Sequence, residues 1–390
     1  MVRWANLLNF TIFQFLILKY IRTCRNAYVN IESRSMSENE ITPIRRQYLD
    51  IKKEYPNAIV FFRLGDFYET FDNDAEITSR ELDIVLTSRN VAKGIRIPMA
   101  GIPYHAVDNY LSRLISKGYH VAIAEQIGEP EGRGLVQREV VRVVTPGTVI
   151  EPNLLKNDQN NYLASAIIDE NRIGIAYVDI TTGEFKATEI NSFEPYNELR
   201  SELLRLNPAE TLIPEILKIQ NELPGHITPY ATWHFEPIRC EEKLKNHFKV
   251  AALDSFGIKG ITLAIQAAGA IIDYLNDTQP SALKLLSHIS NYSTSSFMTL
   301  DAATRRNLEL TETIRKNETK GSLLHVLDYA VTAMGKRLMR QWVSQPLLNV
   351  EDINRRQNSV AFLKNKGLLR AELFSLLKNI NDLEIGRAHV

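Results

Sequence analysis

The sequence predicts a multidomain protein in which α/β domains are followed by an all-α region. A chain of 390 residues with 44% hydrophobic and 24% charged side chains can bury several cores. Strand and helix patterns alternate over residues 41–150 and again over 151–295, whereas helical periodicity dominates residues 296–384. We therefore predict a small mixed α/β domain, a larger three-layer α/β domain and the start of a helical domain.

Net charge and cysteine content bear on nucleic-acid binding and on the redox compartment of the protein. The formal net charge is zero, from 46 basic and 46 acidic residues, so any binding of nucleic acid must come from local patches. The two cysteines, Cys24 and Cys240, lie far apart and match no metal-binding or redox spacing. This usage favours a reducing cytosol.

The two ends are predicted to lie outside the folded domains, at residues 1–40 and 385–390. Residues 4–21 resemble a membrane or signal segment, but polar residues interrupt them and Lys19 ends the apolar run early. We expect translation to begin at Met36; a membrane anchor and a partly helical extension are the alternatives. Glu-Ile-Gly-Arg-Ala-His-Val at the C-terminus is what a common sequencing adapter would encode, so we expect a non-native tail there.

The first domain contains the most informative stretch, Gly-Asp-Phe-Tyr-Glu at residues 65–69. Thr42 and Pro43 predict a capped helix before it, and the apolar run 58–64 predicts a buried strand. Helical spacing from Phe67 through Phe71 to Leu82 places the motif where the strand turns into a helix. Residue type alone leaves core packing open for the aromatic pair.

A window without acidic residues extends from Ile84 to Val107 and is broken by glycines and prolines. We interpret it as a basic loop region whose cations could contact phosphates, with an ordinary solvated loop as the alternative. A glycine-rich loop between two later strands adds one more candidate. The candidates for backbone contacts are Arg89, Lys93, Arg96, His105 and Arg133.

The second domain should open with three strands, at 162–168, 173–180 and 183–190. Asp169, Asp179 and Glu184 lie in this region and raise the alternative of a metal-dependent nuclease. Only Asp179 is expected inside a strand, and no partner for it is obvious. Farther along, helices are predicted at 261–275, 300–315, 322–345 and 349–365, with a basic excess over residues 300–372.

Four motifs together carry a resemblance to a known family. They are Gly-Asp-Phe-Tyr-Glu at 65–69, Pro-Met-Ala-Gly-Ile-Pro-Tyr-His-Ala at 98–106, Glu-Gln at 125–126 and Val-Val-Thr-Pro-Gly-Thr at 143–148. In order and spacing they resemble the MutS family of DNA mismatch-repair proteins, over residues 42 to 384. The resemblance implies a mismatch-recognition domain, then a connector domain with a ribonuclease-H-like fold, then a partial helical core and lever domain.

The resemblance also implies site residues, with Phe67 as a wedge stacked on a mispaired base and Glu69 as its hydrogen-bonding partner. A phenyl ring can stack on any base, and unstacking costs least where pairing is already defective. A carboxylate is repelled by phosphates, so it favours sites where a displaced base bonds to it. A helix-start carboxylate is the alternative for Glu69. Tyr68 is expected to pack in the core.

For cofactors and partners, the expectations also come from the family. No Gly-x-x-x-x-Gly-Lys-Ser/Thr loop occurs in the sequence, so no cofactor or catalytic residue is assigned to this chain. The intact protein is expected to use ATP and Mg²⁺, to form a homodimer, and to bind mismatched or looped duplex DNA and a MutL-type partner. We expect a bacterial cytoplasmic, nucleoid-associated location. A nuclease and a membrane-tethered scaffold are the rival functions.

Overall fold

A computed structural model describes residues 42–92, 95–128, 136–217 and 223–385. The helices are α1 Pro43–Glu54, α2 Asp72–Leu82, α3 Val107–Ile115, α4 Pro195–Leu206, α5 Pro237–Phe248, α6 Thr262–Thr278, α7 Ala302–Asn307, α8 Leu323–Leu327, α9 Ala333–Ser344, α10 Val350–Asn365 and α11 Gly367–Leu377. The strands are β1 Ile59–Leu64, β2 Phe67–Phe71, β3 Thr87–Ala92, β4 Ile95–Pro103, β5 Val121–Ile127, β6 Gln137–Val144, β7 Tyr162–Asp169, β8 Arg172–Asp179, β9 Glu184–Asn191, β10 Glu210–Pro214, β11 His226–Tyr230 and β12 Ser290–Asn291.

The first sheet has the order β3-β4-β2-β1-β5-β6. Strands β1 and β5 are parallel, and the other neighbours are antiparallel. Helix α1 covers one face, where Tyr48 packs with Phe62; α2 and α3 cover the other, where Leu111 packs with Phe61. Thr42 caps α1 through its side chain, as the sequence predicts. The first domain is therefore a three-layer α/β unit.

The prediction that residues 67–71 begin a helix is wrong. They form strand β2, which pairs with β1 in a hairpin, and the helix begins only at Asp72. Phe67 and Phe71 are four residues apart, a spacing that satisfies both a helical face and strand alternation. Aromatic and β-branched residues favour the strand once β1 and β4 are available to pair on either side.

The basic window is likewise not a loop. Strands β3 and β4 occupy it and pair as an antiparallel hairpin, with an irregularity between Asn90 and Ala92. Its prolines are tolerated because β4 carries Pro98 opposite an edge strand and Pro103 at its end. Arg89 and Arg96 are therefore held at fixed positions on a sheet.

The second sheet has the order β11-β10-β7-β8-β9-β12. Strands β7, β8 and β9 form an antiparallel meander, and β10 and β11 add parallel strands beside β7. Helix α4 packs on one face and α6 on the other. Asp169 and Glu184 were expected at turns, but they lie at strand ends, and Glu184 pairs directly with Asp179.

The helical region is more broken than the sequence predicts. Helix α7 ends at Asn307, and Glu309 adopts a left-handed conformation with φ of 45°. The long helix predicted over residues 322–345 is two helices, α8 and α9. Thr332 starts the second because its side chain accepts a hydrogen bond from the amide of Gly335 at 3.0 Å. The helix predicted at 349–365 is present as α10.

A buried carboxylate joins the first domain to the second. Glu210, at the start of β10, is fully buried and receives hydrogen bonds from both sides of the junction. Thr145 Oγ1 and the Gly147 amide donate to Oε2 at 2.5 and 2.9 Å, and Tyr274 Oη donates to Oε1 at 2.7 Å. His120 Nε2 lies 3.3 Å from Oε1. The charged form of Glu210 is therefore stabilised by groups from both domains.

Within the described ranges, no helix is long and apolar enough to cross a membrane. The segment 4–21, on which the membrane-tethered alternative depends, lies outside those ranges. The same holds for Cys24 and for the tail that follows Ile385. Cys240 is a buried free thiol.

Candidate nucleic-acid interface

The candidate site lies at the turn of the β1–β2 hairpin, which the surrounding structure holds firmly. Gly65 has a φ of 60°, a left-handed conformation that suits glycine. Arg63 Nε donates to the carbonyl of Gly65 at 2.6 Å, and the Tyr104 amide donates to the carbonyl of Asp66 at 2.8 Å. The Arg63 guanidinium also lies 3.4 Å from the centre of the Tyr104 ring. The residue that follows this turn is therefore presented at a defined position.

Phe67 is that residue, and it is 46% exposed. Its backbone pairs with Leu64 on one side and with Pro103 on the other. The ring lies beside Gly101, where an added Cβ would be 3.6 Å from Phe67 Cδ1. A large apolar ring fixed on a sheet and open to solvent is available for stacking on another planar group.

Tyr68 occupies the opposite face and is buried, which confirms its predicted packing role. Its hydroxyl donates to the Glu125 carboxylate, and its ring packs near Phe61. Burial, followed by this hydrogen bond, raises the pKa of Tyr68 above its ordinary value. The neutral hydroxyl is therefore the stable form in the fold.

Glu69 lies on the same face as Phe67, because strand residues two apart point to the same side. Had residues 67–71 been helical, the two side chains would lie about 200° apart around the axis. The Glu69 carboxylate forms an ion pair with Arg89, in which Arg89 Nη1 donates to Oε2. The Glu69 side chain is 15% exposed and the Arg89 side chain 36% exposed. Phe67 and Glu69 thus form an apolar and an anionic group side by side.

A second arginine, Arg138, lies close to this ion pair. It is almost fully buried, donates to the carbonyls of Arg63 at 2.6 Å and Val136 at 2.7 Å, and lies over the Phe62 ring. Burial lowers the pKa of Arg138, the Arg89 charge lowers it further, and the Glu69 charge partly offsets both. Arg138 therefore contributes a fixed positive field near Glu69.

The remaining predicted phosphate-binding residues are dispersed. Arg96 is exposed. Arg89 pairs with Ile97 of β4, and paired residues point to the same face of the sheet. Arg96 is the neighbour of Ile97 in β4, so it faces the side of the sheet opposite to Arg89. His105 is exposed in the short turn Tyr104–Ala106 after β4. Lys93 and Arg133 lie outside the described residues. The structure thus brings Arg89 to the site through Glu69, whereas Arg96 faces the other side of the sheet and His105 lies in the turn next to Tyr104.

Sequence reasoning missed Arg63, Tyr104 and Arg138. Tyr104 belongs to the quoted 98–106 motif, but its contact with the turn at Asp66 depends on pairing between β2 and β4. Arg63 lies two residues before Gly65, and a hairpin interpretation would have identified it as a brace for the turn. Arg138 gave no local signal, because apart from the Val136 carbonyl its partners, Arg63 and Gln47, are 75 and 91 residues away in sequence.

The acidic residues that suggest a nuclease have structural partners. Asp179 is buried, and its oxygens accept hydrogen bonds from Asn160 Nδ2 at 2.8 Å and from the Thr181 hydroxyl and amide at 2.6 and 2.9 Å. Asp169 pairs with Arg172, and Glu184 pairs with Lys186. Burial raises the pKa of Asp179, although its hydrogen bonds lower it in part. Asp179 is thus the acceptor that organises the turn after β8.

Over residues 42–92, 95–128, 136–217 and 223–385, no group of three or more histidine, cysteine, aspartate or glutamate side chains could hold a metal ion. The carboxylates of the second sheet are therefore explained by their hydrogen bonds and ion pairs. The nuclease alternative has no support in the described part of the chain.

Fold and site together define a class: a multidomain α/β protein that presents an exposed ring and a neighbouring carboxylate at the end of a β-hairpin. Family models match three successive segments of the chain. MutS domain I matches residues 42–153, MutS domain II residues 161–290 and MutS domain III residues 303–389. The chain therefore belongs to the MutS family.

Curated bacterial proteins are similar in sequence to this chain over most of its length. The DNA mismatch repair protein MutS of Dehalococcoides mccartyi (strain ATCC BAA-2266 / KCTC 15142 / 195) is 50% identical over 347 residues, covering 88% of this chain and 40% of the relative. Those of Syntrophomonas wolfei and Alkaliphilus oremlandii are 48% and 46% identical, each over 88% of this chain and over 41% and 40% of the relative. The chain thus spans about 40% of the length of the curated relatives it matches.

Proposed function

We propose that this chain recognises mispaired or unpaired bases in duplex DNA and so initiates DNA mismatch repair. The observation that carries the proposal is the exposed Phe67 ring beside Glu69, within the segment that matches MutS domain I. Phe67 acts as the wedge that stacks on a mispaired base, and Glu69 accepts a hydrogen bond from that base. Three relatives at 46–50% identity carry the name DNA mismatch repair protein, which supports the same process here.

Mismatch recognition by a wedge depends on the cost of unstacking base pairs. An apolar ring inserted at a base step must displace the stacked pair, and this costs less where pairing is already weak. Phe67 is held ready for insertion, because Arg63 and Tyr104 brace the turn on which it depends. Little ordering is then needed when DNA binds, and binding energy is retained for deforming the duplex.

Glu69 supplies discrimination in this mechanism. Phosphates repel its carboxylate, so a matched duplex gains nothing from it, whereas a displaced base offers a donor group. Arg96 and His105 are exposed on the same domain and are proposed to contact the DNA backbone; Lys93 and Arg133 remain predicted contacts of the same kind. Such contacts give affinity without base specificity.

The other domains are assigned by the same proposal. We infer a ribonuclease-H-like connector domain at 151–295, supported by the meander β7–β9 and the parallel strands β10 and β11. The helices from α7 onward begin a core and lever domain at 296–384. An ATP- and Mg²⁺-dependent homodimer with a MutL-type partner, in the bacterial cytoplasm near the nucleoid, is proposed for the intact protein. The chain has no Walker loop, so no residue here is assigned to nucleotide.

The direct experiment compares binding of the chain to three labelled duplexes of one sequence: fully matched, with a G·T mismatch, and with a single unpaired base. We expect tighter binding to the two defective duplexes, because unstacking costs less there. Fluorescence anisotropy at several salt concentrations separates this preference from the shared phosphate term. Equal affinity for all three duplexes at every salt concentration would refute the proposal.

A substitution at Gly101 should reduce the mismatch preference through Phe67. In Gly101→Val the two γ-methyl groups would extend from a Cβ only 3.6 Å from Phe67 Cδ1, and the ring would have to turn aside. Valine suits a strand, so the fold should persist. We expect the mismatch-to-matched affinity ratio to fall roughly 3- to 10-fold, as for a lost contact of about 1 kcal/mol.

Gly101→Ala is the matched control, since its Cβ makes only an ordinary contact with the ring. It should keep the wild-type ratio to within about twofold, which corresponds to less than 0.5 kcal/mol. If valine and alanine behave alike in the anisotropy titration, the position of the Phe67 ring does not set the mismatch preference.

A further inference from the structure

We propose that Arg89 is a positioning and specificity-determining residue that acts through Glu69, and that it is not a phosphate contact. The proposal rests on the proposed function and deepens it. From the sequence, Arg89 was predicted to contact the DNA backbone. In the structure its guanidinium is directed to the Glu69 carboxylate.

The two oxygens of Glu69 have different surroundings. Arg89 Nη1 donates to Oε2, whereas Oε1 receives no hydrogen bond from any residue that the structure describes. A carboxylate oxygen fixed by its partner and left with open lone pairs is a ready acceptor for a base donor. The ion pair thus orients Glu69 with one oxygen held and the other available.

Gly101 lies directly opposite Glu69 in the β2–β4 pairing. Strand β4 lies between β3 and β2, so Arg89 must cross it to reach Glu69. A side chain at position 101 would occupy the face that Phe67, Glu69 and Arg89 share. The glycine therefore leaves this face open beside the Phe67 ring.

Arg89 also compensates the negative charge of Glu69. Without Arg89, Glu69 would meet DNA as an unpaired carboxylate, only 15% exposed, near a dense line of phosphates. Arg138 cannot take over as partner, because its guanidinium is committed to the carbonyls of Arg63 and Val136 and is almost fully buried. Arg89 is thus the cation that both orients Glu69 and reduces its repulsion of DNA.

The two possible roles of Arg89 predict different effects of its substitution when Glu69 is also replaced. If Arg89 acts through Glu69, removing its charge should matter only while position 69 carries a carboxylate. If Arg89 contacts a phosphate, its removal should weaken binding whatever residue is at position 69. In that case it should also lower the salt slope by about one.

The experiment is a double-mutant cycle of Arg89→Gln and Glu69→Gln in the full chain, with matched and G·T duplexes. With Glu69 present, we expect Arg89→Gln to weaken matched-duplex binding and to lower the mismatch-to-matched ratio, each roughly 5-fold or more. In the Glu69→Gln protein the same substitution should change both quantities less than about 2-fold. Arg89→Lys, which keeps the charge, should restore matched-duplex affinity to within about 2-fold of wild type.

Arg96→Gln is the control for loss of one positive charge from the same hairpin, on the opposite face. Its effect should be the same with glutamate or glutamine at position 69. Equal losses from Arg89→Gln in both backgrounds would overturn the inference while leaving the proposed function intact. A wild-type chain that prefers no defective duplex would overturn both.

Discussion

Phe67→Ala should abolish the preference of this chain for a G·T mismatch or a single unpaired base over matched duplex. Stacking of an aromatic side chain on a base contributes about 1–3 kcal/mol, which corresponds to roughly a 5- to 150-fold change in affinity. Phe67 is 46% exposed and follows a turn held by Arg63 and Tyr104, so removal of its ring should leave the fold unchanged. Binding to matched duplex should persist, because the phosphate contacts do not involve the ring.

The measurement is a titration of matched and mismatched duplexes by fluorescence anisotropy, with thermal unfolding as a check on the fold. Phe193→Ala is the matched control, since Phe193 is 95% exposed and lies in the second domain. It should bind all duplexes as the wild type does. Undiminished discrimination by Phe67→Ala would exclude the ring as the wedge.

Glu210→Gln should cause the largest loss of stability among the changes considered. An amide at this position would direct an NH₂ group toward donors that Glu210 now accepts from, including Thr145 Oγ1 and the Gly147 amide. Burial alone raises the pKa of Glu210, but the hydrogen bond and charge of His120 and the hydrogen bonds of Thr145 and Thr228 outweigh it and lower the pKa to about 2. The shift from 4.5 to about 2 corresponds to roughly 3 kcal/mol of stabilisation.

The pH dependence follows from the direction of that shift. A carboxyl group with a lowered pKa in the folded state stabilises the fold fully above its unfolded value of 4.5, and this stabilisation is lost as the pH falls toward 2. The difference in unfolding free energy between wild type and Glu210→Gln should therefore be present at about pH 5 and shrink as the pH falls from there toward 2. Urea denaturation followed by circular dichroism measures this difference.

Glu241→Gln provides the control, because Glu241 pairs with Lys245 on the surface and its side chain is 47% exposed. It should change stability by less than about 0.5 kcal/mol, as for exposed ion pairs. A gap between wild type and Glu210→Gln that stays the same down to acid unfolding would mean that the charge of Glu210 does not support the domain junction.

Element type was predictable wherever local pattern and tertiary context agree. The capped helix α1, the strand β1 and the meander β7–β9 all appear near their predicted positions. The residues from Phe67 to Phe71 were mistaken for a helix, because a spacing of four is compatible with both periods. The prediction of one long helix at 322–345 was wrong for another reason. Thr332 caps a new helix in the middle of this segment, although the apolar periodicity of the sequence continues through it.

Four motifs in register were enough to identify the family, and they pointed to Phe67 and Glu69 as the candidate pair. Three features became visible only in the folded chain: Phe67 and Glu69 lie on one face, Arg89 forms an ion pair with Glu69, and Glu210 joins two domains. These facts depend on pairing between distant segments: Glu69 opposite Gly101 in the sheet, and Glu210 bonded to Thr145. Local periodicity reports which residues share a face of one element, but it carries no information about which element pairs with another.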